Sequence, residues 1–372
     1  MKVFQCIHKY PPHIPAFEKK YKIKNRDLSF NEIRELLIQD GYASTYILKP
    51  ALESITNEVF FTLWDYERLQ YQWAEEQHLQ TKDLDEIKLA QIETFKPDVF
   101  YNHSPRYDNN FVQKLAVFEN LKKICWDAVA AKYPLMHEKY DARVTLFKPH
   151  VKYWKSKGLN ASILPPAYVP SWEKYLSEDR EIDVLFYGQC NEKFFSNRNQ
   201  IIAELLKWQS TKKYNVKVHI QGINKKYPLF DVKGLRRFTK WINKTPKPIK
   251  KYALGPIYGQ ALYKAIGNSK IVVNASGNYN GVFKDNMRIY EALGVGALMI
   301  GEEGVYPDFI EPDKDFLTFR NAEELITKIE DSLSEPTERK EKAKRAHEKL
   351  KMSCSKEIQW NNFCDIVTNL KN

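Results

Sequence analysis

The residues best placed to do chemistry lie near the start of one helix in the C-terminal half of the chain. The segment IVVNASGNYNGVFKDNMRIYEALGVGALMIGEE, residues 271–303, has the pattern of a strand, a polar loop, a helix and a second strand. Arg288 and Glu291 are three residues apart, so both lie near the first turn on one helix face. A helix start suits a phosphate, and a carboxylate one turn later suits a ribose diol. The spacing indicates nucleotide binding; a solvated Glu291 in an ordinary α/β connection is the alternative.

The same segment resembles the donor-binding core of GT-B glycosyltransferases, specifically the CgeB-like branch of the retaining, family-4-like group. The positions that carry the resemblance are Asn274, Asn286, Arg288, Tyr290, Glu291, Ala292, Gly294 and Gly296. The similarity continues upstream through residues 183–189 and 255–274, and downstream through the YPDFI and FRNAEELITKI stretches, so it covers about the C-terminal half. One position departs from the pattern. The group carries a glutamate eight residues before the ribose-binding one, and here that position is Phe283.

The resemblance implies an α/β protein of the GT-B fold, with two Rossmann-like, doubly wound parallel-sheet domains facing a cleft. We expect an acceptor domain at residues 1–168, a donor domain at 169–356 and a helix at 357–372 that crosses back to the first domain. The implied activity is transfer of a sugar from a nucleoside-diphosphate-sugar co-substrate to a glycan, lipid-linked or protein acceptor, as in polysaccharide biosynthesis. A retaining, metal-independent reaction without a further cofactor is implied. Transfer to modified DNA bases and a non-catalytic nucleotide- or nucleic-acid-binding protein are the alternatives.

Donor-binding residues are expected beyond the carboxyl ends of strands in the second domain, where ligands bind in open α/β sheets. Gly188 would let a diphosphate approach the backbone, and Arg198 or Lys193 would neutralise the leaving nucleoside diphosphate. Lys284 and Arg288 flank the helix start, where phosphate contact is expected. The resemblance adds donor contacts from Ile257, Tyr258, Asn274, Asn286, Met287 and Glu291. A turn glycine, solvated cations and a core Tyr258 are the structural alternatives.

The first domain is expected to supply the acceptor site and any catalytic base. His8, His103, Asp108 and Asp127 each follow a predicted strand end, where catalytic groups often lie. A structural role is the alternative for each of them. A retaining enzyme of the kind that the sequence resembles need not use a protein nucleophile, which weakens the case for any of the four.

Composition bounds the class of protein. The 372 residues are 43% hydrophobic and 28% charged, which is typical of a globular protein of about two domains. No apolar run approaches about 20 residues, so no membrane-spanning helix is expected. The N-terminus lacks the apolar region of a secretory signal, which favours a cytoplasmic protein. Five scattered cysteines without CxxC spacing indicate neither a disulfide framework nor a zinc site.

The positive charge is concentrated in the second half. The chain carries +11 overall, and residues 207–251 hold 14 basic residues against one acid, Asp231. Within that tract, residues 234–244 (GLRRFTKWINK) have the pattern of a helix with an apolar stripe and a basic face. Three interpretations stay open: a helix packed on the sheet with its lysines exposed, peripheral contact with the inner face of an anionic membrane, and nucleic-acid binding.

Elsewhere the pattern alternates strands with helices, which predicts a parallel, doubly wound sheet. In the first domain the predicted strands cover residues 3–7, 43–48, 99–102, 122–126, 144–147 and 161–164. Pro165, Pro166 and Pro170 mark the expected linker. In the second domain Asn321 is expected to cap a helix at 323–332, with Glu324 completing a capping box.

Overall fold

A computed structural model describes residues 1–129, 133–223, 227–228, 241–242, 244–277 and 281–370. The chain divides into two compact units. The first unit comprises Met1–Val169, Tyr258–Gln260 and Met352–Asn372, and the second comprises Pro170–Ile257 and Ala261–Lys351. Each unit is built around one parallel sheet, which confirms the predicted α/β class.

The first unit contains a six-stranded sheet in which every neighbouring pair is parallel. Its strands are β1 (Lys2–Ile7), β2 (Glu58–Leu63), β3 (Val99–Asn102), β4 (Lys122–Trp126), β5 (Ala142–Thr145) and β6 (Ala161–Ile163). Their order in the sheet is β2-β1-β3-β4-β5-β6. From β1 the chain adds β2 on one side of the sheet and the later strands on the other side. The point of reversal therefore lies between β1 and β3, and ligands bind at such points in sheets of this kind.

Six helices pack in the described part of the first unit, together with two 3₁₀ segments, Ile23–Asn25 and Phe111–Val117. The helices are α1 (Ile14–Tyr21), α2 (Phe30–Asp40), α3 (Glu67–Glu76), α4 (Leu84–Phe95), α5 (Lys148–Ser156) and the C-terminal α12 (Lys356–Thr368). The C-terminal helix contributes Trp360, Phe363 and Val367 to a core shared with β1, β3 and β5. Those apolar side chains explain why the last segment groups with the first unit.

The second unit contains a five-stranded parallel sheet of the same construction. Its strands are β7 (Ile182–Gln189), β8 (Val216–Gln221), β11 (Ser269–Asn274), β12 (Leu298–Glu302) and β13 (Leu317–Phe319). The order is β13-β12-β11-β7-β8, so the point of reversal lies between β7 and β11. Two short antiparallel strands, β9 (Tyr227–Pro228) and β10 (Trp241–Ile242), form a separate ribbon.

The remaining helices belong wholly or mainly to the second unit, together with a 3₁₀ segment at Pro170–Tyr175. They are α6 (Glu192–Gln209), α7 (Lys247–Tyr252), α8 (Gly259–Gly267), α9 (Met287–Gly294), α10 (Ala322–Ser334) and α11 (Pro336–Ser353). Helix α10 begins one residue before the predicted start, and Asn321 caps it as predicted, because its side chain accepts a hydrogen bond from the backbone N–H of Glu324. The Glu324 carboxylate bonds the N–H of Arg320, so the predicted capping box is only half formed.

The strand predicted at residues 43–48 is wrong. The segment forms turns, with left-handed backbone at Gly41 (φ 83°) and Ala43 (φ 47°), and the second strand is Glu58–Leu63. The buried Gln5 side chain bonds the carbonyl of Tyr46 and the N–H of Leu48, and so replaces bonds that a sheet would have supplied. The segment is apolar because it is buried, and burial alone produced the strand-like pattern.

Most of the basic segment 234–244 lies outside the described residues. The two residues of it in β10, Trp241 and Ile242, are strand, so the predicted helix does not continue through them. None of the helices in the described part of the chain combines the length and apolar character needed to cross a bilayer. The strand predicted at 144–147 lies two residues earlier, at Ala142–Thr145.

A glycine at the end of α9 allows a tryptophan to pack against the helix. A Cβ on Gly294 would lie 2.4 Å from two ring carbons of Trp172, which is 1% exposed. We expect Gly294→Ala to reduce the free energy of unfolding by about 1–3 kcal/mol, because the clash forces Trp172 to move. The control is Gly255→Ala, where no atom lies within 4 Å of the added Cβ. Equal thermal denaturation midpoints for the two variants would contradict this account.

Candidate functional site

The carboxyl ends of β7 and β11, at the point of reversal in the second sheet, are joined by the first turn of α9. Asn286 caps this helix: its side-chain oxygen accepts a bond from the N–H of Arg288 at 3.0 Å, and its amide donates to Asn274 Oδ1 at 3.1 Å. Asn274 is the last residue of β11 and is 1% exposed. The cap therefore fixes the helix start against the strand end. Met287, the first residue of the helix, is half-buried.

Arg288 ties the two strand ends together. Its guanidinium donates to the carbonyl of Tyr187 at 2.7 Å and to Asn274 Oδ1 at 2.8 Å, and more weakly to the carbonyl of Ala275 at 3.4 Å. It also lies 5.1 Å from the centre of the Phe186 ring. The phosphate contact predicted for Arg288 stays a prediction, because these bonds give the guanidinium a structural role of its own.

Gly188 leaves room for that guanidinium. A Cβ at Gly188 would lie 3.3 Å from Nη2 of Arg288 and 3.2 Å from the ring of Phe186, both tighter than ordinary contact. The lack of a side chain therefore serves the packing of Arg288, whatever approach it also offers to a diphosphate. Gly188 lies within β7 and pairs with Ile220, so the alternative of a turn glycine is wrong, while the approach of a diphosphate stays a prediction.

Glu291 lies one turn into α9, and the residue is 7% exposed. The hydroxyl of Tyr187 donates to Oε2 at 2.7 Å, while Oε1 has no hydrogen-bond partner among the described residues. Burial raises the pKa of Glu291 to about 7, although the Tyr187 bond and the charge of Arg288 act in the opposite direction. One oxygen is thus held in place by the protein and the other is left to accept bonds from a ligand.

Lys284 lies beside the helix start, but its charge is partly balanced. Its ammonium group is 3.2 Å from Oε2 of Glu302, the last residue of β12, and the two side chains are 13% and 16% exposed. The backbone N–H of Ser276 donates to the same oxygen at 3.0 Å, and the Ser276 hydroxyl also donates to it. These groups line a cavity of about 410 Å³ that Asn197 and Arg320 also border.

Arg198 is buried on α6 beside the end of β7. Its guanidinium lies 3.6 Å from the centre of the Phe195 ring and donates to the carbonyl of Gln189. It is therefore close to the strand end where the sequence predicts a leaving diphosphate. The side chain of Lys193 lies outside the described residues.

Aromatic side chains surround Tyr258. It is counted with the first unit, where its ring stacks on His13 at 5.2 Å and meets Tyr10 edge-on at 5.8 Å. Ile257 is half-buried and ends the preceding segment of the second unit. The role predicted for Ile257 and Tyr258 at the nucleobase stays a prediction.

Two of the four candidates in the first unit lie at the point of reversal between β1 and β3. His8 Nδ1 is 2.8 Å from the hydroxyl of Ser104, and burial lowers the pKa of His8. His103 stacks on Trp126 at 5.3 Å, and burial lowers the pKa of His103 to about 3. Neither ring nitrogen of His103 has a partner in the part of the chain that the structure describes. A ring with so low a pKa is neutral near pH 7 but is a weak proton acceptor, which suits hydrogen bonding better than proton abstraction.

The two carboxylates predicted beside these histidines are engaged in buried ion pairs. Asp127 accepts a bond from His137 at 2.7 Å and pairs with Arg106 at 3.1 Å. Burial acts to raise the pKa of Asp127, but His137, the Val129 N–H and Arg106 together hold it below its usual value. Asp108 pairs with Lys88 at 2.7 Å, and burial raises its pKa to about 6. Both oxygens of Asp127 are therefore occupied, whereas Asp108 is paired through Oδ2 alone, and the role of each as a base stays a prediction.

Sequence reasoning missed Tyr187, Glu302 and Ser276. All three lie at or just beyond the carboxyl ends of β7, β12 and β11, so the rule that selected Gly188 could have selected them. Among the described residues, no three His, Cys, Asp or Glu side chains lie close enough together to hold a metal ion.

Comparison with known families identifies the type of domain. Residues 198–361 match a family model described as glycosyl transferase-like. The chain thus carries a glycosyltransferase-type enzyme domain. Comparison with curated proteins by sequence finds no match. The predicted enzyme class is confirmed at this level, whereas the CgeB-like branch stays a prediction.

Solved structures confirm the predicted GT-B fold. HepE of Anabaena in complex with UDP is 10% identical, with a TM-score of 0.56 and 100% of both chains covered. Sucrose-phosphate synthase from Thermosynechococcus elongatus is 12% identical, with a TM-score of 0.53, over 100% of this chain and 99% of that one. TarM of S. aureus is 13% identical, with a TM-score of 0.55, and the match covers 77% of this chain but only 59% of TarM.

Proposed function

We propose that the protein transfers a sugar from a nucleoside-diphosphate sugar to a glycan, lipid-linked or protein acceptor. The observation that carries the proposal is the carboxylate of Glu291, buried one turn into α9 and oriented by Tyr187. Its free oxygen is an acceptor for ribose hydroxyls beside a helix start that favours a diphosphate. The glycosyl transferase-like match over residues 198–361 supports the same assignment.

The cations near the strand ends would stabilise the leaving group. As the glycosidic bond breaks, negative charge grows on the nucleoside diphosphate, and a positive charge already in place favours that transition state. Arg198 lies at the end of β7 and Lys284 at the start of α9. Retention of configuration and independence from metal are the expectations that come with the resemblance, and they form part of the proposal.

The acceptor is proposed to bind to the first unit, near the ends of β1 and β3. His8, Ser104 and the unpartnered ring of His103 lie there, beside Tyr46 and Trp126. Aromatic rings and hydrogen-bonding groups together suit a sugar-bearing acceptor. The peripheral membrane contact suggested for residues 234–244 would fit a lipid-linked acceptor.

The proposal is tested by nucleotide binding and turnover. UDP is the first probe, because HepE, which shares the GT-B fold, has been solved in complex with it; GDP, UDP-glucose, UDP-N-acetylglucosamine and GDP-mannose complete the panel. A ligand present at 100 times its dissociation constant stabilises the native protein by about 2.7 kcal/mol, which raises the thermal midpoint. An enzyme should also release nucleoside diphosphate slowly from its preferred donor. Absence of binding to every member at millimolar concentration would contradict the proposal, and binding without turnover would favour a non-catalytic protein.

A further inference from the structure

A cavity lies beside the proposed nucleotide site, at the carboxyl ends of β11, β12 and β13. Its volume, about 410 Å³, falls within the roughly 300–1,000 Å³ of ligand pockets. Ser276, Lys284, Glu302 and Arg320 contribute its polar lining. Ser276 comes two residues after Asn274 and Lys284 two residues before the cap Asn286, so the cavity adjoins the start of α9.

Glu302 has one oxygen fixed and one free. Oε2 accepts three bonds, from the N–H and hydroxyl of Ser276 and from the ammonium of Lys284. Oε1 has no hydrogen-bond partner among the residues that the structure describes. The side chain is 16% exposed, so its position is set by the protein while solvent, or a ligand, reaches it through the cavity. Such a carboxylate is an oriented acceptor of hydrogen bonds.

The charges around the cavity favour a neutral ligand group over a phosphate. Lys284 is paired with Glu302, and Arg320 with Glu324 at 3.3 Å, so each cation of the lining is partly balanced by a carboxylate. A phosphate placed here would meet the free oxygen of Glu302 and the neighbouring exposed Glu303. A hydroxyl can instead donate a bond to that oxygen.

We infer that Oε1 of Glu302 accepts a hydrogen bond from a hydroxyl of the donor's sugar ring, and that Glu302 is therefore a specificity-determining residue. The inference rests on the proposed function, because it assumes a donor whose nucleotide lies at α9. It assigns the nucleotide to the Glu291 side of the helix start and the sugar to the cavity. Ser276 and Lys284 are positioning residues for Glu302.

Glu302→Gln tests the inference sharply. The amide oxygen should replace Oε2 facing Ser276 and Lys284, which turns an NH₂ donor toward the cavity in place of the acceptor. We expect the affinity for the preferred nucleotide sugar of the five-member panel to fall tenfold to a hundredfold, because a charged hydrogen bond is lost. The affinity for the matching nucleoside diphosphate should change less than twofold. Titration calorimetry measures both constants.

Glu303→Gln is the matched control, since Glu303 borders the same cavity, is exposed, and should change neither constant. If Glu302→Gln does not fold, the same two constants are measured for Ser276→Ala, which removes a donor that orients Oε2. Equal weakening of sugar nucleotide and diphosphate, or no change in either, would overturn the inference while leaving the proposed function standing. Failure of the unmodified protein to bind any nucleotide would instead overturn the proposed function and the inference with it.

Discussion

Arg288→Met is expected to lower the free energy of unfolding by about 3–5 kcal/mol. The buried guanidinium donates to the carbonyls of Tyr187 and Ala275 and to the side chain of Asn274, and its removal takes a donor from each of them, leaving Asn274 Oδ1 with only the bond from the Asn286 amide. The nearby carboxylate of Glu291 also loses a favourable charge. For a unit of this size the thermal midpoint should fall by about 6–20 °C, at about 2–4 °C per kcal/mol.

Arg320→Met is the control, because the Arg320 side chain is 71% exposed and pairs only with Glu324 among the described residues. Its loss should change stability by at most about 0.5 kcal/mol. Unchanged thermal midpoints with abolished nucleotide binding in Arg288→Met would show that Arg288 acts chiefly on a ligand phosphate. That result would contradict the structural role and favour the role predicted from the helix start.

The start of α9 could be predicted from sequence because its determinants are local. Asn286 caps the helix within two residues, and Arg288 and Glu291 share a face through helical geometry alone. The parallel sheets follow equally from alternating apolar strands and amphipathic helices. These features depend on neighbours within one turn or one strand, which a sequence displays directly.

The partners of those residues could not be predicted, because they come from distant segments. Tyr187 reaches Glu291 across 104 residues, and only the adjacency of β7 and β11 brings them together. Asp127 had the expected position for a base, but His137 and Arg106 from separate loops occupy its oxygens. A sequence does not show whether the oxygens of a carboxylate are free or already hydrogen-bonded.

The turn at residues 43–48 was mispredicted for the same reason. Its apolar side chains resemble those of a strand, and the feature that decides otherwise is the distant side chain of Gln5. A buried amide that satisfies the backbone removes the need for a sheet partner. The side chains of Lys356 and Gln359 also donate to carbonyls of this segment, so its conformation depends on several long-range polar contacts that periodicity does not report.

Glu291→Gln is expected to remove a pH dependence from both stability and donor binding. Burial raises the folded-state pKa of Glu291 from 4.5 to about 7, so the folded protein retains a proton that the unfolded chain releases. This contribution to stability is complete below pH 4.5 and is lost as pH rises through 7. It amounts to something on the order of 3 kcal/mol. The free energy of unfolding of both proteins should be measured by denaturation at pH 4.5 and pH 8. Between these values it should fall by about 3 kcal/mol more in the unmodified protein than in the variant.

Asp285→Asn is the control that distinguishes the titration of Glu291 from that of a neighbouring carboxyl group. Burial also raises the pKa of Asp285 to about 7, and Asp285 lies at the same helix start. In Asp285→Asn the free energy of unfolding should depend less on pH, whereas the affinity for the donor should depend on pH as it does in the unmodified protein. Only an ionised Glu291 accepts bonds from both ribose hydroxyls, so affinity for the preferred donor should rise about tenfold from pH 6 to pH 8. In Glu291→Gln the affinity should be lower, by about a hundredfold at pH 8, and independent of pH. If Glu291→Gln binds the donor as tightly as the unmodified protein at pH 8, Glu291 does not contact the nucleotide, and the assignment of ribose recognition to α9 is wrong.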